Sequence, residues 1–197
     1  MKPETPPAGE VEVRIYSIAT SLTESIIFLD EIEGSRILPI WIGPMEAQAI
    51  AIRLSGYPSP RPMTHDLLFS VIKTLGLTVN RVTITDIVEN TYYSHLHLAD
   101  PGGGNLRLVD ARPSDAVAVA VRFGCPIYIS EQVFEKTQVL SKPITEDEVV
   151  KFKHDLKNLK PNDIIGQLIN GKMPGADMQE EDDEEEGEEG EEDDEQA

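Results

Sequence analysis

The chain has 197 residues, with 17 Lys and Arg against 36 Asp and Glu, a formal net charge of -19. That length fits one domain, or one domain with an appendage. Its single cysteine, Cys125, excludes an intrachain disulfide and a thiolate zinc cluster. No apolar run reaches the roughly 18 residues of a membrane span, and the opening residues lack the apolar stretch of a signal peptide, so a soluble, cytoplasmic protein is expected. The charge is uneven. Residues 177–197 hold 15 of the acidic residues and no basic one, leaving 21 acidic against 17 basic, a net of -4, on the body. The acidic excess therefore describes the tail and does not exclude a polyanionic substrate.

In chain order, residues 1–9 are rich in proline and read as a flexible lead-in. Val11 to Ile18, Ser25 to Ile32 and Arg36 to Ile42 read as three strands in a meander, and Pro39 places its strand at an edge or a late start. Pro44 opens a first helix with apolar residues at three-to-four spacing. After the proline-stiffened loop 56–62, Thr64 is expected to cap a second helix whose Leu67, Leu68, Val71, Ile72 and Leu75 face the core, with Gly76 at its end. Leu77 to Val88 and Thr91 to Leu98 alternate as a half-buried hairpin, and residues 100–105 turn into a further strand ending at Asp110. A third helix, from about Pro113 to Phe123, is apolar nearly all round and should be buried centrally. Pro126 to Ile129 is a short buried strand, followed by one last turn from Ser130.

This order implies an α+β domain over residues 10–142, a mixed sheet with three main helices. Residues 143–174 read as a short helical appendage, opened by the capping-box spacing Thr145-x-x-Glu148 and too small for its own core. Residues 175–197 are expected to be disordered, since charge repels with nothing apolar to bury. The tail should repel nucleic acid and damp non-specific binding at the basic residues of the body.

The most informative feature is a local pattern that occurs twice. Arg61-Pro62-Met63-Thr64-His65-Asp66 opens the second helix, and Asp110-Ala111-Arg112-Pro113-Ser114-Asp115 opens the third. Helix capping accounts for Thr64, Asp66, Ser114 and Asp115, each cap being worth about 1 kcal/mol. It does not account for the arginines, which meet an unfavourable partial charge at a helix N-terminus unless an anion is there. That anion is either the nearby Asp, in a structural ion pair, or a phosphate held by free N–H groups and a guanidinium fork. If the two segments converge, Arg61 and Arg112 with Thr64 and Ser114 bind phosphate. His65, Asp66 and Asp115 then supply acid or base groups, and Asp66, Asp110 and Asp115 ligate a divalent metal, Mg²⁺ or Mn²⁺. Convergence is the step that spacing does not provide.

Other signals are weaker. His95-x-His97 shares one strand face, as a metal pair requires, but has no third donor at a fixed offset. Glu46 lies in the first turn of its helix and either joins the cluster or answers the helix dipole. Trp41, Tyr57, Tyr92 and Tyr93 are platforms on which bases could stack, and Cys125 reads as a small core residue. No basic block reaches five residues, so nucleic-acid contacts would be local.

The run Ser25-Ile26-Ile27 through Leu38-Pro39-Ile40-Trp41-Ile42-Gly43, the two Arg-Pro motifs, Cys125-Pro126-Ile127-Tyr128 and Glu131-x-Val133 occur in an order that resembles the bifunctional nuclease family. The resemblance extends from about Val11 to Ser141. It implies a mixed α/β fold that tends to dimerise and hydrolysis of both DNA and RNA, so nucleic acids are expected as substrates and a second copy as partner. A non-catalytic dimeric module in which the Arg–Asp pairs are purely structural is the alternative, and a small-anion sensor at the same helix ends is a third.

Overall fold

The computed structural model describes residues 6–21, 24–100, 102, 104, 106–142 and His154. The lead-in up to residue 5, nearly all of the appendage and the whole acidic tail lie outside the described residues. The elements run β1 (Glu10–Thr20), β2 (Ser25–Glu31), β3 (Arg36–Ile42), α1 (Pro44–Ser55), α2 (Thr64–Thr74), β4 (Thr78–Val88), β5 (Thr91–Ala99), β6 (Leu106–Ala111), α3 (Pro113–Phe123), β7 (Ile127–Ser130), α4 (Glu131–Lys136) and β8 (Leu140–Ser141). This is the expected α+β class. The eight strands form one mixed sheet in the order β6-β5-β4-β7-β1-β2-β3-β8, in which β4 and β7 pair in parallel.

The β1-β2-β3 meander is antiparallel throughout. Pro39 pairs with Phe28 on one side, and β8 reaches only Arg36 and Ile37 on the other, so the missing proline N–H faces no ladder. The β4–β5 hairpin turns at Glu89 and Asn90, both at positive φ (48° and 62°), the two-residue geometry that matches strand twist.

One large core lies under the helices. Ile50 of α1, Ile72 of α2, Val117 and Val119 of α3, and Val133 and Phe134 of α4 all pack with Leu29, Ile40, Val82, Ile84 and Leu96 of the sheet. A smaller cluster of Ile26, Phe28, Ile37 and Leu140 occupies the opposite face. Helix α3 is central, as its all-round apolar composition predicts: from Ala116 to Ala120 every residue is buried. Gly124 ends it at φ 65°, the left-handed position that a side chain resists.

Helix α2 departs from expectation. Of its apolar residues only Ile72 is buried, whereas Leu67, Val71 and Leu75 are 59%, 45% and 68% exposed. The reason is placement. α2 packs chiefly on α3, so its period-3.6 pattern satisfies one narrow contact and leaves a second apolar stripe outward. Thr64 is also not the cap. Met63 holds the N-cap position, and its amide donates to Asp66 Oδ2 at 2.9 Å.

Within His95-x-His97, His97 joins a polar network on the sheet face opposite the main core. Thr83 Oγ1 lies 3.1 Å from His97 Nε2, and Arg81 Nε donates to Nδ1 at 3.4 Å. Burial, then the charges of Arg81 and His95, lower the His97 pKa to about 4, so the ring is neutral near pH 7. Both of its nitrogens are engaged, which leaves no lone pair aimed at a metal. Cys125 is partly buried against the main core, and burial pushes its thiol up to about 12, as befits a small packing residue rather than a nucleophile.

Candidate active site at three helix starts

Helices α1, α2 and α3 follow β3, the loop 56–62 and β6 in turn. Their first turns are joined by side chains. His65, in the first turn of α2, places Nε2 3.0 Å from Asp115 Oδ1, in the first turn of α3. Arg112, the N-cap residue of α3, donates to Asp115 through Nε at 2.7 Å and through Nη2 at 3.1 Å. The same Nη2 reaches Glu46 Oε1, in the first turn of α1, at 2.7 Å. The two repeated segments, fifty residues apart, therefore touch through His65 and Asp115, and Glu46 brings in the third helix, but Arg61 and Arg112 do not share one hollow.

The local backbone explains the arrangement. Pro44 and Pro113 occupy first-turn positions and donate no N–H, and neither α1 nor α3 has a side-chain cap. In α3 this leaves the Ser114 and Asp115 amides without an intrahelical acceptor. At Gly43 the Glu46 carboxylate folds back over the helix start into the space a Cβ would take.

Beside this cluster lies a hollow of about 390 Å³ lined by Gly43, Arg112, Pro113, Ser114, Trp41 and Tyr92. Two uncapped helix starts thus open on one space, with two aromatic side chains at its wall. The predicted platforms Trp41 and Tyr92 are here; Tyr57 is elsewhere.

The remaining expected residues divide differently. Asp66, next to His65, turns to Arg122 near the far end of α3, with Oδ1 accepting from Nε at 2.6 Å. Arg122, whose side chain is 3% exposed, also donates to the carbonyls of Ala118 and Ala49. It was the site residue that reading motifs missed. The available signal was its position seven residues after Asp115, two turns along the same face of an otherwise apolar helix. Arg61 is exposed and opens on a second hollow with Arg53, Asp66 and Arg122, not on the one beside Arg112. The first turn of α2 thus reaches α3 at two places, His65 at Asp115 and Asp66 at Arg122. Thr64 is exposed; Ser114 is buried at the wall of the 390 Å³ hollow. Asp110 is exposed on β6, opposite His95.

The expected metal set is not assembled. Asp110 stands on a strand, Asp66 is committed to Arg122 and the Met63 amide, and Asp115 to Arg112 and His65. Among the described residues no three His, Cys, Asp or Glu side chains gather as a metal cage. The donors Asp66, Asp110 and Asp115 do not fit one ion in this arrangement.

Electrostatics bear out how firmly these carboxylates are held. Burial alone would raise the Asp115 carboxyl, but the Arg112 guanidinium and the His65 imidazole outweigh it and hold the pKa below the ordinary range. Asp66 follows the same pattern, burial being outweighed by the Met63 amide and by Arg122. Arg112 is itself driven further toward the charged form by Asp115 and Glu46. A depressed carboxyl contributes stability above its unfolded value, near pH 4, and loses it as pH falls through the folded value. Thermal melts should therefore show the Asp66→Asn chain losing less stability than the parent between pH 5 and about pH 2. Parallel decline of the two would mean that Asp66 is not held as described.

Comparison with known proteins gives the same direction. The model of the bifunctional nuclease domain matches residues 27–142. An uncharacterized protein of Mycobacterium tuberculosis is 40% identical over 164 residues, covering 79% of this chain and 97% of the relative. Bifunctional nuclease 1 of Oryza sativa subsp. japonica is 29% identical over 122 residues, 61% of this chain but 37% of its own length. Bifunctional nuclease 2 of Arabidopsis thaliana is 27% identical over 96 residues, 48% of this chain and 29% of its own. Both Arg-Pro segments and the three joined helix starts lie inside the matched region, and the chain belongs to the bifunctional nuclease domain family.

Proposed function

We propose that this chain is a nuclease that hydrolyses phosphodiester bonds of both DNA and RNA at the cluster formed by His65, Asp115, Arg112 and Glu46. The observation that carries the reading is the His65–Asp115 contact beside a guanidinium and two uncapped helix starts. With Nε2–H donated to Asp115, Nδ1 is the ring nitrogen left to act as base. That nitrogen takes a proton from water as the oxygen attacks phosphorus. The P–O bond to the leaving sugar oxygen then breaks, and the imidazolium returns the proton to that oxygen. Arg112 and the Ser114 and Asp115 amides are suited to the charge that develops on the non-bridging oxygens. Water as nucleophile needs no 2′-OH, and contacts to phosphate carry no base identity, so both nucleic acids would be accepted. Trp41 and Tyr92 offer faces against which a neighbouring base would stack.

Within this reading Asp66 is a positioning residue: through Arg122 it sets the angle at which α2 presents His65. A divalent ion would have to displace Arg112 from Glu46 and Asp115, so no step is assigned to one. The test is hydrolysis of end-labelled DNA and RNA oligonucleotides by the purified chain, in EDTA and in Mg²⁺ or Mn²⁺. Cleavage of both is expected, with most of the rate retained in EDTA. Complete dependence on the ion would mean that the carboxylates release Arg112 to take it, and cleavage of neither substrate would remove the nuclease reading.

A homodimer is the assembly that the outward stripe of α2 supports. Leu67, Val71 and Leu75 recur at intervals of four, as a helix packing on a second helix requires, and this stripe begins beside His65. Solution mass by light scattering at micromolar concentration should be twice that of the chain.

A further inference from the structure

The second hollow is larger than the first and has no role in the chemistry above. It encloses about 460 Å³ between the C-terminal end of α1, the loop 56–62 and the first turns of α2, within the range of roughly 300–1,000 Å³ common for small-ligand sites. Three guanidiniums line it, from Arg53, Arg61 and Arg122, against a single carboxylate, Asp66. Asp66 pairs with Arg122 and also feels the charge of Arg53. Subtracting that pair leaves two surplus positive charges, on a body whose net charge is negative. The rest of the wall is mixed, with Tyr57, Pro58, Pro62 and Phe69 beside Ser59 and Ser70. Tyr57 is 72% exposed, and Pro58 and Pro62 stiffen the loop beside it.

Two anion partners and an aromatic plate on a stiff rim match a nucleotide, with its phosphate between Arg53 and Arg61 and its base on Tyr57. The hollow also shares the first turn of α2 with the cluster: Asp66 lines it while the adjacent His65 contacts Asp115. We propose that this hollow holds a flanking nucleotide of a single-stranded substrate, so that the chain selects strands whose bases are unpaired and can swing onto Tyr57. The proposal rests on the nuclease reading for its substrate. A base within a duplex keeps its face stacked on its neighbours and cannot use such a plate.

Binding, rather than cleavage, tests this, so that failure of the two readings is distinguishable. The probe is a fluorescent, phosphorothioate-linked ten-nucleotide strand, followed by anisotropy on the full chain, beside a duplex of the same sequence. Tyr57→Ala should weaken binding of the single strand by about five- to 150-fold, as loss of one stacked base does, and should leave the duplex unaffected. Tyr57→Trp should restore it. Arg53→Gln with Arg61→Gln should lower the dependence of single-strand affinity on salt by a slope of about 0.7, the value for one neutralised phosphate. Equal single-strand affinity for parent and Tyr57→Ala, or equal losses on strand and duplex, overturns the proposal. Binding that follows this pattern without any cleavage of an ordinary oligonucleotide would sink the nuclease reading and leave the nucleotide site standing. Tyr57 lies on an exposed loop, so a loss of fold is not expected, and circular dichroism of each variant checks this.

Discussion

Replacing Asp115 by asparagine is expected to lower oligonucleotide hydrolysis by about 100-fold or more, the scale of a proton-transfer group put out of action. The amide retains the size of the carboxylate and the hydrogen-bonding reach to His65. It no longer favours the tautomer that keeps Nδ1 basic, nor does it stabilise the imidazolium that forms during attack. The effect on folding should be small, because Arg112 is largely exposed and keeps Glu46 as a partner. His65→Gln should cost a comparable factor. If the two side chains act as one unit, the double variant should be no slower than the worse single variant. Multiplicative losses would mean independent roles, and a residual rate that none of these changes moves would belong to a contaminant.

The second large effect is on stability. Arg122→Met keeps most of the aliphatic stem but removes a guanidinium that is 3% exposed and serves Asp66, Ala118 and Ala49 at once. Removing one partner of a buried pair costs about 3–5 kcal/mol, here at the low end because Asp66 itself is one-third exposed. At roughly 2–4 °C per kcal/mol for a chain of this size, the melting temperature should fall by about 10 °C. The damage would reach the site indirectly, since α2 would lose the anchor that presents His65. Asp66→Asn, which preserves shape and leaves Arg122 hydrogen-bonded, should lose clearly less. Equal loss in both variants would show that the charge on Asp66 does the holding; no loss in either would deny Arg122 its anchoring role. The same comparison separates a purely structural account of the Arg–Asp pairs from the catalytic one. On the proposed reading, changes at Arg122 and Asp66 should alter stability and changes at Asp115 should alter rate.

These contrasts follow from how a repeated motif is used. In sequence the two Arg-Pro segments look equivalent, and each offers its arginine to its own aspartate. In the fold only the second does so, where Arg112 pairs with Asp115 three residues on. In the first, Asp66 lies at the junction of α2 with α3 and takes the buried Arg122, leaving Arg61 to line a separate hollow. A local pattern specifies which groups stand at a helix start, since proline geometry and first-turn acids act over a few residues. It does not specify which way they reach, because that depends on the neighbouring helix.

What the sequence determined by itself is therefore the local and the periodic. The β1-β2-β3 meander, the edge position of Pro39, the central burial of α3, the α+β class and the family were all legible, because alternation, all-round apolarity and turn residues act at short range. Only the tertiary structure decided that the first turns of α1, α2 and α3 meet, that Glu46 joins them, and that Asp110 stands apart on β6. It also turned the stripe Leu67–Val71–Leu75 outward. Burial and pairing between distant segments are set by how helices stack in three dimensions. A period of 3.6 residues shows that a helix has an apolar face, while only packing shows what that face meets.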